Sequence, residues 1–152
     1  MKDVAFKEMV SRAQWVETQI MKWYREKVDP KTRLALPKTK EYDIHCPEVG
    51  NVEVKEDRLA SKTGYYAFET EDADGKPSGI SVTTAGDFVL IDDKSVIFIK
   101  TVSLLFLIRE SASKRLIQMG YTTKEGKRAW GYLIPVEEIA YSLYVEVVDK
   151  WF

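Results

Sequence analysis

The chain has 152 residues, 45% hydrophobic, 12% aromatic and 31% charged, a balance that excludes wholesale disorder and fits a single domain spanning 1–152. Lys plus Arg is 23 and Asp plus Glu is 24, for a net charge of −1, which excludes a uniformly basic nucleic-acid coat and leaves only local basic patches. One cysteine, Cys46, and one histidine, His45, exclude an internal disulfide, a Cys-rich zinc site and a His-rich metal site.

No apolar run approaches the roughly 18 residues of a membrane span, and the first residues lack an apolar signal core. A soluble, cytoplasmic protein with no membrane partner is expected.

In chain order, residues 3–28 read as one amphipathic helix, with Asp3 as N-cap and Asp29-Pro30 as the stop. Residues 30–40 form a proline-bounded loop carrying Lys31, Arg33, Lys38 and Lys40 and no acid. Tyr42–Cys46 reads as a strand, Pro47–Gly50 as a turn and Val52–Asp57 as a second strand with period-2 alternation. Ser61–Gly64 is expected as a loop, Tyr65–Thr70 as a third strand of the same meander, and Asp72–Gly79 as a turn-rich loop. Ser81–Gly86 has room for one helical turn. Asp87–Asp92 and Ser95–Thr101 form a hairpin across Asp92-Asp93-Lys94. Residues 103–117 read as a helix, apolar almost all round and therefore buried. A hairpin turning at Lys124–Lys127 precedes a strand at Ala129–Ile134. A final helix is expected over 136–151, with Ile139, Ala140, Leu143, Tyr144, Val147, Val148 and Trp151 on one face. The order predicts a mixed α/β sheet with an antiparallel N-terminal meander flanked by helices. No glycine pattern for a dinucleotide or a phosphate-binding loop is present.

Glu17 is the sharpest local observation. At 100° per residue, Phe6, Val10, Ala13, Ile20, Met21, Tyr24 and Val28 all fall within about 60° of it. That predicts a carboxylate in the middle of an apolar face, where it must be paired, protonated or bound to a cation. The alternative is a structural salt bridge or a helix edge that meets solvent.

The second observation is the strand pair. Glu53, Lys55 and Asp57 point one way from their strand while Val52 and Val54 point the other. A tight connection makes the preceding strand antiparallel, so Asp43 can lie across from the Glu53/Lys55 face. Carboxylate oxygens suit a hard cation such as Mg²⁺, with Mn²⁺ as a substitute. A lysine beside them suits a charged phosphoryl transition state. The tripeptide acid-x-Lys occurs five times, but only Glu53-Val54-Lys55 lies inside an apolar-flanked strand. A solvated strand face with an ordinary cross-strand ion pair is the competing reading.

Taken together, Tyr42-Asp43 and Glu53-Val54-Lys55, after a helix bearing Glu17, resemble the PD-(D/E)XK nuclease superfamily, with its restriction-endonuclease-like core. The stretch from Gly75 to Val89 also resembles small stand-alone members of phage and bacterial type. Asp43 follows Tyr where the family name has Pro, as in many members. The resemblance covers roughly residues 10–100. It implies that Asp43 and Glu53 are metal ligands, that Lys55 is the catalytic lysine, and that Glu17 is the helix acid of junction-resolvase-like branches. The activity expected is Mg²⁺-dependent endonucleolytic cleavage of DNA, with a homodimer for double-strand cutting. A Holliday-junction resolvase of the same fold and a non-catalytic DNA-binding or assembly protein are the alternatives.

Expected phosphate contacts are Lys31, Arg33, Lys38, Lys40, Arg58, Ser61, Lys62, Lys76, Ser81, Thr83 and Thr84. Glu69, at the end of the third strand, is expected near the metal's outer shell or in solvent. His45 is placed on Asp43's side of its strand without an assigned role, and Cys46 is expected as a buried small hydrophobe. Trp130 and Tyr132 are expected in the core.

Overall fold

The computed structural model describes residues 2–36, 42–120 and 122–152, with the side chains from Arg12 onward. Its elements are α1 (Lys2–Lys27), β1 (Arg33–Leu34), β2 (Ile44–Cys46), β3 (Gly50–Glu56), α2 (Ala60–Thr63), β4 (Tyr65–Glu71), β5 (Asp87–Ile91), β6 (Ser95–Lys100), α3 (Thr101–Glu110), β7 (Arg115–Met119), β8 (Ala129–Pro135), α4 (Val136–Ala140) and β9 (Val145–Asp149). A short 3₁₀ turn, Gly79–Ser81, precedes β5. The fold is mixed α/β. A six-stranded sheet runs β1-β2-β3-β5-β6-β9, and a three-stranded sheet runs β4-β8-β7. Among the described residues, only β3 and β5 pair in parallel; every other pairing is antiparallel.

The centre of the large sheet follows from β5 and β6, whose near-continuous apolar runs suit strands covered on both faces. On one face, Val89, Ile91, Val96 and Phe98 pack with Ile44, Cys46 and Val52 against Val16, Ile20, Met21 and Tyr24 of α1. On the other, Phe88, Leu90, Ile97 and Ile99 meet Tyr66, Phe68 and Ile134 of the small sheet, Leu104 and Ile108 of α3, and Ile139 of α4. The result is three layers. Burying each large α1 side chain is worth on the order of 2 kcal/mol. Four of them outweigh the few kcal/mol it costs to carry the Glu17 carboxyl toward the interface.

Several expectations are corrected. The helix is already running at Asp3, so Asp3 is not its cap. Residues 60–63 are a helical turn rather than a loop, closed by Gly64 at φ 82°. The strand at Tyr65–Glu71 leaves the meander and pairs with β8. The helix after β6 stops at Glu110, where the Ser111 hydroxyl bonds Glu138 and accepts from the Ser113 N–H; such side-chain bonding competes with helix continuation. Residues 115–119 then form β7. The Val102, Leu105 and Phe106 side chains are exposed, so α3 is buried on one face only.

The expected last helix ends at Ala140. The Ser142 hydroxyl takes the Ile139 carbonyl, Tyr144 adopts φ 54°, and the β-branched run at 145–148 pairs with the edge of β6. Leu143, Tyr144, Val147 and Trp151 are consequently exposed rather than forming a buried helical face. Trp130 is also exposed, while Tyr132 packs partly against the core. Cys46 is fully buried, as expected. Among the described residues, no helix is long and apolar enough to cross a membrane.

Candidate active site

The site lies where β2 stops covering β3. Their pairing runs only from Cys46 opposite Gly50 to Ile44 opposite Val52. The Asp43 N–H still donates to the Val52 carbonyl (3.0 Å), but the chain then turns away. The Val54 N–H would lose its partner there. Instead the Asp43 carboxylate accepts it at 2.8 Å. A side chain thus occupies a ladder position, which holds a carboxylate where the β2–β3 pairing ends.

From the helix side, Glu17 reaches Asp43, carboxyl against carboxyl, a contact that needs one proton between them. From the opposite side come Glu53 and Lys55, which alternate away from Val52 and Val54. The Thr83 hydroxyl donates to Glu53 Oε1 (3.2 Å) and accepts from the Ala85 N–H (3.2 Å). Lys55 lies with Nζ 5.7 Å from the Phe68 ring centroid, facing the small sheet. Glu69 of β4 belongs to the charges that act on Lys55. Its carboxylate accepts from the Ser78 hydroxyl (2.8 Å). Gly79 lets the 3₁₀ turn approach: at its φ of 54°, an added Cβ would stand 2.5 Å from the Glu69 carbonyl oxygen.

The electrostatics follow from partial burial of like charges. Burial, then the Asp43 charge and hydrogen bond, push the Glu17 carboxyl up to about 7. Burial also raises Asp43, against the lowering effects of the Val54 N–H and Glu17. Glu53 is raised by burial and by Asp43, with Thr83 and Lys55 opposing. Burial lowers Lys55, while Asp57, Glu53 and Glu69 hold its proton on. The Glu17–Asp43 pair therefore holds a proton to higher pH than a free carboxyl would.

The four predicted residues form one electrostatic chain: Glu17 with Asp43, Asp43 with Glu53, Glu53 with Lys55. The setting of Glu17 differs from the expected one. Ala13, one turn earlier, is exposed, and Glu17 is half-buried where the stripe of Val16, Ile20 and Tyr24 meets solvent. His45 bonds Asn51 through Nδ1 (3.0 Å). Glu69, expected near the site's rim or in solvent, stands among the charges around Lys55; the β-bulge between Glu69 and Glu71, which sequence alone did not signal, interrupts the register beside it.

The expected phosphate contacts divide. Lys31, Arg33, Arg58, Lys62, Lys76, Ser81 and Thr84 are exposed. Thr83 spends its hydroxyl on Glu53, and Ser61 bonds Asp93. Lys38 and Lys40 lie outside the described residues. Arg12 was not singled out from the sequence, yet it clamps Glu56 through two bonds of 2.9 Å.

Among the described residues, no three His, Cys, Asp or Glu side chains already enclose a cation position. The donor chemistry nevertheless suits a hard divalent ion: the carboxylates of Asp43, Glu53 and Glu17 lie close enough to act on one another, and Mg²⁺ needs only one or two of them and keeps waters besides. No family model, no curated protein and no solved structure matches the chain.

Proposed function

We propose that the chain is a metal-dependent nuclease with a restriction-endonuclease-like core, hydrolysing phosphodiester bonds in DNA. One observation carries this reading: the Asp43 carboxylate, bonded to the Val54 N–H where the β2–β3 pairing ends, links a helix acid on one side to Glu53 and Lys55 on the other. A solvated strand face would leave these charges in water at their ordinary acidities. Here all three acids are raised and the lysine is lowered, the pattern typical of reacting groups.

Asp43 and Glu53 would hold Mg²⁺, or Mn²⁺ in its place, with Glu17 joining as its proton leaves. Bound there, the ion would supply Lewis acidity to the phosphate and its attacking water. Lys55, kept protonated by Glu53, Asp57 and Glu69, counters the negative charge that builds on the phosphate. Thr83 orients Glu53. Glu17 is the observation that favours a second reading, resolution of four-way DNA junctions on the same fold. A homodimer in the cytoplasm would suit either activity.

Incubation with plasmid, linear, single-stranded and four-way-junction DNA, with Mg²⁺ or with EDTA, tests the proposal. Cleavage of at least one form with Mg²⁺ and none with EDTA is expected. Intact DNA in every form, with Mg²⁺ and with Mn²⁺, would overturn it in favour of a DNA-binding module. Preferential cutting of the junction would select the second reading.

A further inference from the structure

Next to the Glu17–Asp43 pair lies a basic cavity that the proposed chemistry does not use. It measures about 380 Å³ and is lined by Arg12, Ala13, Val16, Val54, Glu56 and Arg58. It adjoins the candidate site on two elements. Val16 precedes Glu17 on α1, and Val54 carries the N–H that Asp43 accepts. Along β3, Glu56 is two residues beyond Val54, about 6.6 Å at the usual strand rise, comparable to one nucleotide step along a strand.

Three cations converge on the single Glu56 carboxylate. Arg12 bonds both of its oxygens at 2.9 Å. Arg58 stands at 3.6 Å and Lys150 at 4.0 Å. The Lys150 side chain is only 12% exposed, covered along the Phe152 ring. A structural ion pair needs one cation. Among the described side chains, three leave an excess of two positive charges over Glu56. The Arg12 guanidinium is held in place, with Arg58 nearby, by a carboxylate whose forked geometry mimics a phosphate diester's two free oxygens.

We infer that this cluster seats a phosphate of the nucleic-acid strand, next to the one cut at Asp43 and Glu53, with Glu56 as the placeholder that preorganises Arg12 and Arg58. The inference rests on the nuclease reading for its ligand. It predicts that Glu56 opposes strand binding although it is bonded to the residues that perform it.

The test measures binding of fluorescent duplex and single-stranded DNA to the full chain over a salt series, in a Lys55→Ala background with Mg²⁺ so that the strand stays intact. Arg12→Ala with Arg58→Ala should weaken binding at least about fivefold and flatten the log–log salt slope by about 2 for duplex. Arg12→Lys keeps the charge and should keep the slope. Glu56→Gln should tighten binding. A plain structural pair predicts no gain in binding beyond the loss of one negative charge, so binding by Glu56→Gln equal to or weaker than the parent's overturns the inference. An unchanged slope in the double variant overturns it as well. Should the double variant not fold, Glu56→Gln and Arg12→Lys decide alone. The two readings separate cleanly. Cleavage by the parent chain with an insensitive slope removes this inference only. Binding with an Arg-dependent slope, and no cleavage by the parent in any condition, removes the nuclease reading and the neighbouring cut, and leaves the phosphate seat at Arg12 and Arg58.

Discussion

Two aspartates at the large sheet, Asp87 buried and Asp43 half-buried, are set up in opposite ways. Asp87, at the start of the central strand β5, is 6% exposed. It accepts from the Tyr24 hydroxyl and from Lys100 Nζ, each at 2.8 Å. It has one donor, one counter-charge and no acid against it. Asp43, at the edge, has one backbone N–H and then another carboxyl, Glu17. The first arrangement completes itself with groups of this chain and serves the fold. The second lacks positive charge and relieves the lack with a shared proton. Two acids side by side cost a fold stability unless a proton or a cation joins them.

The comparison breaks most visibly in catalysis. Lys55→Ala should lower DNA cleavage by roughly 10²–10³ or more, with the melting temperature and Mg²⁺ affinity held, because a charged lysine ligates no metal. Loss of cleavage together with loss of the folded state would move Lys55 to the structural side.

The two aspartates should next respond with opposite signs. Asp87→Ala leaves the buried Tyr24 hydroxyl without its acceptor and should cost about 1–3 kcal/mol in denaturant unfolding. Asp43→Asn still presents an oxygen to the Val54 N–H and removes a charge that burial disfavours. Its metal-free stability at pH 8 should be equal to or above the parent's, while Mg²⁺ binding weakens. Equal destabilisation by both would erase the contrast.

A smaller effect should appear with pH. The Glu17 carboxyl rises from its ordinary 4.5 to about 7 on folding. Between those values the folded chain holds a proton that the unfolded chain has released. Stability from this group is therefore fully present below about 4.5 and lost as pH rises through about 7. Metal-free melting temperature should decline across that window. Asp43 and Glu53, also raised, add in the same direction from lower pH. Glu17→Gln should flatten the decline and melt higher at pH 8 by about 2 °C or more, and Mg²⁺ should restore part of the parent's loss. A flat profile in the parent would place Glu17 in solvent.

The legible parts were those written in local pattern. Alternation across Val52–Asp57 put Glu53 and Lys55 on one face, and the short turn before it made Asp43's strand antiparallel. The helical period brought Glu17 toward the interface, though Ala13 shows that a face counted by angle continues past the edge of the sheet that covers it. What stayed hidden was non-local. Nothing in Tyr65–Glu71 distinguishes a third strand of the meander from the first strand of another sheet; α2 and the partner β8, more than sixty residues later, decide it. Glu69 approaches Lys55 only through that choice. Residues 141–149 space their apolar side chains like a helix. The free edge of β6 and the β-branched valines outweigh that spacing.

Because the Val54 N–H is bonded to a carboxylate instead of a strand, its environment changes whenever Asp43 changes charge, partner or position. In a nitrogen–proton correlation spectrum this single amide should act as a resident probe. Its chemical shift would follow protonation of the Glu17–Asp43 pair, and its exchange with deuterium would report how firmly the acid is held. Uptake of a cation would reach the same resonance through one bond, with no label added and no residue changed.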